Sequence, residues 1–329
     1  ILNRPNLELM TNTSVLKIII NNKKAVGVQV KNRQGINAIT AESEIILCGG
    51  AINSPQLLML SGIGPKKVLE KVSIPCAHDL PGVGQNLQDH LTVNISYNID
   101  HLDTFAELMR PMKMLKNLFQ YFVKGNGLLT YPASDIGVFF KTNNSVKTPN
   151  AQIHFAPGAG KYNKDGAMAP ISGITASVCN LRPLSKGFIE LNSSDPKEPP
   201  KIYANYLSEK SDIQPMIEGI KKVRHIFESP SIQKFNPKEM TPSLNYREDE
   251  EIEELIRQEC LSVYHPVGTC KMGVEKDCVV DPSLCVIGIK SLRIADASIF
   301  PKIISGNTNA TCNAVGAKCA ELILRKSRS

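Results

Sequence analysis

Apolar residues up to residue 50 fall in short β-rich runs: Leu7 to Met10, Val15 to Ile20 and Ala25 to Val30. The polar turn Asn21-Asn22-Lys23-Lys24 joins the second run to the third, and Asn32 to Gly35 forms the next turn. Glu44 to Cys48 reads as a short buried strand that runs into Gly49-Gly50, with a helix from Ser54-Pro55. From about residue 91 the pattern changes. Leu91 to Tyr97 alternates like a half-buried strand. Phe105, Leu108, Met109, Met112, Leu115, Phe119 and Phe122 recur at helical spacing, broken at Pro111. Such a Met-rich stripe can face a membrane or a partner, but the commoner role is core. Ala151 to Ala156, Ile174 to Leu181 and Gly187 to Leu191 are further strands, and Ile213 to Phe227 and Ile252 to Cys260 are amphipathic helices. A short strand, Leu292 to Ala295, and a helix from Thr308 to Leu324 close the chain. The fold class is therefore mixed α/β.

With 42% hydrophobic and 21% charged residues over 329 positions, the chain has the content of a globular protein with a core. Its formal charge of +7 is spread along the chain, with one dense cluster at Arg325-Lys326-Ser327-Arg328. No aromatic-rich basic motif accompanies that cluster, so nucleic acid is not an expected partner. No stretch approaches the roughly 20 apolar residues of a membrane span. Nine cysteines without a Cys-x-x-Cys indicate neither a disulfide scaffold nor a structural zinc, and no metal site is expected. Cys270, Cys278 and Cys285 are close enough in sequence for one local bridge. Cys48, Cys312 and Cys319 read as buried free thiols. Of five sequons, those at Asn12, Asn94, Asn143 and Asn192 mildly favour a secreted or secretory-pathway protein, while the fifth, at Asn309, opens the last helix beside the candidate chemistry, where a glycan would not fit. Ile1-Leu2-Asn3-Arg4-Pro5 contains neither an initiator Met nor a targeting segment, which suggests the later part of a longer protein.

The candidate chemistry centres on Tyr264-His265-Pro266-Val267-Gly268-Thr269-Cys270-Lys271-Met272-Gly273. Pro266 fixes its own φ and biases His265 toward extended backbone, while Gly268 permits a close turn. A rigidly held imidazole that titrates near neutrality can take a proton from a hydroxyl group. A lone histidine is more often a packed core residue, but a second segment, Ser305-Gly306-Asn307-Thr308-Asn309, follows the strand ending at Asp296 and opens the last helix.

Together these segments resemble the C-terminal signature of the glucose–methanol–choline (GMC) flavoprotein oxidoreductases, most closely the insect glucose dehydrogenase-like branch. The run Gly50 to Gly64, the block Pro81 to His90, and Arg182 to Gly187 with Asp195-Pro196 and Asn205-Tyr206-Leu207 extend the resemblance from residue 1 to about 325. The resemblance implies an FAD-dependent enzyme, glucose, alcohol or choline dehydrogenase-like, acting on CH–OH groups. A hydride would pass to flavin N5 with His265 as general base. Asn307 would be the hydrogen-bonding partner of the substrate oxygen, since a carboxamide can donate but cannot take the proton. Val15, Gly50, Asp296, Ala297, Asn307 and Thr308 would contact FAD. The same resemblance implies an alcohol or sugar substrate and a quinone or oxygen as electron acceptor.

It further implies three regions. Residues 1–90 would be the C-terminal part of the FAD-binding region, 91–260 a substrate-binding domain with an antiparallel sheet flanked by helices, and 261–329 a return to the FAD domain. The glycine pair Gly49-Gly50 is expected to let a ligand approach the outward N–H groups of the following helix. Asp296 has a plainer alternative role as a turn acid or N-cap, and His78, His90, His101, His154 and His225 read as structural or surface residues. The family's usual Gly-x-Gly-x-x-Gly unit does not occur in these residues: Gly82-Val83-Gly84 follows a proline loop. Thr311-Cys312 stands where relatives usually have Pro-Thr, and Cys48 where Ser or Ala is usual. Two rival readings are a non-catalytic remnant of such an enzyme without bound FAD, and a basic interaction module.

Overall fold

The computed structural model describes residues 3–100, 104–132, 134, 136–162, 168–241 and 246–326; His101 lies outside them. The chain divides into two compact units. The first comprises residues 1–89, 186–206 and 265–329, and the second 90–185 and 207–264. The excursion 186–206, which the sequence places in the middle region, thus packs with the first unit. Its strand Phe188–Glu190 pairs with Lys201–Tyr203, and Ile189 and Leu191 join the first unit's core.

In the first unit, Ser14–Asn21, Lys24–Asn32 and Gly35–Thr40 form an antiparallel meander. Asn22 and Lys23 both have positive φ, 47° and 56°, the backbone of a tight two-residue hairpin turn. The strand Gly35–Thr40 carries no sequence signal because nearly all of it is exposed on both faces. Leu7 to Met10, expected as a strand, is exposed and pairs with no sheet. Ile45–Leu47 lies parallel to Leu292–Ile294, and the helix Gly50–Leu60 follows the first of these strands. That helix begins four residues earlier than Ser54, so Pro55 sits inside it rather than at its start. The last helix spans Asn309–Lys326.

The second unit is built on an antiparallel sheet in the order Lys238–Thr241, Leu91–Asn98, Ile174–Asn180, Ala151–Ala156, Ile136–Phe140, with Leu261–Ser262 pairing the first part of Leu91–Asn98. Leu91–Asn98 is mostly buried along both faces, against the alternation expected of it, because it lies inside the sheet. The amphipathic helix Gln214–Phe227 buries Met216, Ile217, Ile220, Val223 and Phe227 against this sheet. Phe227 stacks on Tyr97 with ring centroids 3.7 Å apart. Asp249–Glu259 starts on a capping box formed by Glu248 and Glu251, which satisfies two otherwise free backbone N–H groups.

The Met-rich stripe differs from its expected core role. It forms a short helix Phe105–Leu108, a helix Pro111–Phe119 with Pro111 in its first turn, and a π-helical turn Gln120–Lys124. Phe105 and Leu108 are half-buried, but Met109, Met112, Leu115, Phe119 and Phe122 lie at the surface, with Met112 81% and Phe122 78% exposed. Periodicity identifies an apolar face; it does not identify what that face meets.

Candidate active site

The expected site residues all lie in the first unit, and a set of buried polar contacts connects the segments that carry them. Pro55 has no N–H, so the carbonyl of Ala51 loses its helical donor. The Thr269 hydroxyl, fully buried, donates to that carbonyl at 2.6 Å. The threonine of the His265 segment therefore repairs a defect in the helix Gly50–Leu60.

From there the segment runs beside residues 297–299. Gly268, Cys270 and Met272 donate backbone N–H groups to the carbonyls of Ala297, Ser298 and Ile299. Gly268 has φ +92°, and a Cβ there would lie 2.5 Å from the Asn86 carbonyl oxygen, so no other residue fits without strain. Gln88 then links both arms of the site. Its backbone pairs with Val267 in both directions, its Oε1 accepts from Ile303 N–H at 3.2 Å, and its Nε2 donates to the Pro301 carbonyl at 3.3 Å. Asn307 stands four residues beyond Ile303.

His265 is half-buried, and its backbone N–H donates to Asp89 Oδ1 at 3.0 Å. Asp89 Oδ2 accepts the Tyr206 hydroxyl at 2.7 Å. The residue before His265, Tyr264, has φ +60°, an uncommon conformation for a bulky side chain, so the chain enters the site through a strained link. Sequence reading missed Asp89, Gln88 and Tyr206 as positioning groups. Asp89 and Gln88 lie in the block Pro81 to His90, but partners 176 and 215 positions away leave no local trace.

Asp296 is buried, and its carboxylate takes four donors from the protein. Oδ2 accepts from Gly50 N–H and the Ser54 hydroxyl, and Oδ1 from the N–H and hydroxyl of Ser298. It caps the turn Ala297–Ile299 and the start of the helix Gly50–Leu60 together. Gly49 N–H donates to Ser54 Oγ at 3.0 Å. The expectation that this helix offers outward N–H groups to a ligand thus fails at Gly49 and Gly50, whose donors are spent internally. Gly50, at φ +77°, nevertheless has no atom beyond its chain neighbours and its own helix backbone within 4 Å of the position a Cβ would take, and Gly306 is likewise open beyond its chain neighbours.

Val15 is exposed near the start of its strand and lines a cavity of about 390 Å³ together with Cys48, Gly49, Asn53 and Ser54. This cavity lies at the carboxyl end of the parallel strand Ile45–Leu47, where open α/β sheets take ligands. Ala297 is half-buried, and Asn307 is exposed just before the last helix. The Thr308 carbonyl accepts the first helical N–H, from Cys312, so Thr308 sits at the helix's N-terminal boundary. Cys270 and Cys278 are thiols and form no bridge with each other. Cys48 is exposed and Cys312 half-buried rather than buried, while Cys319 is buried as expected; among the described residues the strand before Cys48 pairs with Leu292–Ile294 alone. Burial pushes the Cys270 thiol well up, with the Asp296 charge adding to it.

GMC oxidoreductase family models match residues 1–92 and 183–316. The chain is 40% identical to an alcohol dehydrogenase (acceptor) of Pseudomonas putida, over 99% of this chain and 59% of that protein. It is 37% identical to an oxygen-dependent choline dehydrogenase of Pectobacterium carotovorum, over 98% of this chain and 58% of the relative. The structure matches that of a formate oxidase from Aspergillus oryzae, studied for FAD modification, with a TM-score of 0.91 at 27% identity, over 99% of this chain and 62% of the oxidase. The chain thus spans 58–59% of the length of these two curated relatives. With matching models at both ends and conserved architecture in between, the chain belongs to the GMC oxidoreductase family.

Proposed function

We propose that the protein serves as an FAD-dependent oxidoreductase acting on CH–OH groups, with His265 as general base and Asn307 as a donor to the substrate oxygen. The observation that carries this reading is the Gln88 link, which ties the backbone of the His265 segment to the segment leading to Asn307. The named relatives, alcohol and choline dehydrogenases, support an alcohol substrate. A glucose-type sugar and a quinone or oxygen acceptor are the finer form of the proposal.

The residues present fit the cofactor. The cavity beside Val15 and the unobstructed Cβ positions of Gly50 and Gly306 leave room for a planar ligand against backbone. Val15 and Gly50 would hold it at one end, and Ala297, Asn307 and Thr308 at the other, with Asp296 acting through the backbone it braces. When bound, FAD supplies the two-electron acceptor for the hydride of the alcohol carbon. A ring nitrogen of His265 takes the hydroxyl proton, while the Asn307 amide donates to the oxygen as negative charge grows on it. The N-terminus of the helix Asn309–Lys326 adds the positive end of its dipole next to Asn307.

The test uses the protein expressed from its full reading frame and loaded with FAD. His265→Ala is expected to lower kcat for an alcohol about 10²–10⁴-fold, with the flavin absorbance of the purified protein unchanged. Wild-type turnover in that variant would remove His265 from the mechanism. A full-length protein that takes up no FAD at all would favour the non-catalytic remnant.

A further inference from the structure

A base must be held in place, and the backbone that carries His265 has a gap in its hydrogen bonding. Gln88 and Val267 pair as an antiparallel bridge. The next step of that ladder would set Asp89 opposite Pro266, which has no N–H to give. The Asp89 side chain takes over. Its Oδ1 accepts the His265 N–H at 3.0 Å, the one backbone donor that the sequence offers between Tyr264 and Val267. Asp89 is only 6% exposed, and the Tyr206 hydroxyl donates to its other oxygen at 2.7 Å. The peptide held in this way follows Tyr264, whose φ of +60° is costly for an aromatic residue and persists only where neighbouring bonds enforce it. Ser262 Oγ accepts the Tyr264 N–H at 2.9 Å, and Asp89 secures the N–H after it.

From this we infer that Asp89, with Tyr206 behind it, is a positioning residue of the proposed reaction, fixing where the His265 ring stands relative to the hydroxyl it deprotonates. The inference rests on the reading of His265 as general base. Asp89 acts through the peptide between Tyr264 and His265 rather than on the substrate. With its acceptor removed, that peptide can relax out of the strained conformation at Tyr264, and the ring moves with it. A displacement of about 1 Å at a reacting group costs on the order of 10²-fold in rate.

The experiment measures kcat and KM in the FAD-loaded full-length protein carrying Asp89→Ala, Asp89→Asn, Tyr206→Phe, His265→Ala, or Asp89→Ala combined with His265→Ala. Asp89→Ala is expected to lower kcat about 10²-fold, with KM and flavin absorbance little changed. Asparagine keeps an acceptor for the His265 N–H and should recover most of that loss. Tyr206→Phe removes one donor from the carboxylate and should cost about fivefold. The double variant should turn over as His265→Ala does alone, because a residue that acts only through the ring has nothing to position once the ring is gone. Hydrogen exchange gives a reading apart from activity: the His265 amide should exchange faster in Asp89→Ala than in the wild type. Wild-type kcat in Asp89→Ala, a loss in Asp89→Asn as deep as in Asp89→Ala, or a double variant slower than His265→Ala by about tenfold or more would each overturn the inference. Should far-UV circular dichroism show Asp89→Ala unfolded, Tyr206→Phe decides, alone and combined with His265→Ala, and no loss in it overturns the inference. Wild-type turnover in His265→Ala would instead remove the base itself, so the two failures are told apart.

Discussion

Thr269 shows how one side chain can serve two elements. Its hydroxyl supplies the bond that Pro55 denies to the Ala51 carbonyl, and both residues are buried. Thr269→Val keeps the shape and removes the donor. The buried carbonyl is then left unsatisfied, which costs about 1–3 kcal/mol, whereas Thr269→Ser keeps the bond. Urea denaturation should find the valine variant destabilised by that amount and the serine variant closer to wild type. Equal stability of the three would mean that the Ala51 carbonyl finds another donor. The Asp89 carboxylate works in the same way for His265, through the backbone rather than the ring.

Helix Gln214–Phe227 illustrates packing at the scale of an element. Gly219 lies mid-helix, where alanine would ordinarily gain about 1 kcal/mol from helix propensity. A Cβ at Gly219 would, however, run into Cγ1 of Val178, a buried β-branched residue on the central strand. Overpacking of this kind costs about 1–3 kcal/mol, so it exceeds or cancels the propensity gain. Gly219→Ala should therefore be neutral to destabilising by up to about 2 kcal/mol in thermal unfolding, and a clear rise in Tm would show that the sheet yields there. The existence of this helix was legible from its 3.6-residue period, as were Ala151–Ala156 and the hairpin around Asn22. The strand Gly35–Thr40 was not legible, because an edge exposed on both sides needs no apolar alternation. The identity of the site segments was legible through family resemblance. What braces them was not: Asp89, Gln88 and Tyr206 act across separations that only the folded chain closes. The surface position of Met112 and Phe122 was equally hidden, since periodicity is the same for a buried face and an exposed one.

At the scale of the molecule, the second unit leaves and rejoins the first at points where its own chain ends meet. Val263 N–H donates to the His90 carbonyl at 3.1 Å, and Glu209 N–H donates to Ser185 Oγ at 3.0 Å. Among the described residues, its buried apolar cluster, from Leu91 to Ile256, is made of the second unit's own side chains. Residues 90–264 with 186–206 replaced by a short Gly/Ser linker should therefore fold alone, with a cooperative thermal transition and dispersed amide resonances. A chain that stays molten would show that this core depends on the rest of the protein. His265 is the first residue after that unit, and its backbone is fastened to Asp89, the last residue before it. The backbone of the residue proposed as general base is thus fastened within the first unit, at the first and last crossings of the chain between the units. Exchange of the second unit for another would leave the bond from Asp89 to the proposed base intact, because both of its partners belong to the first unit.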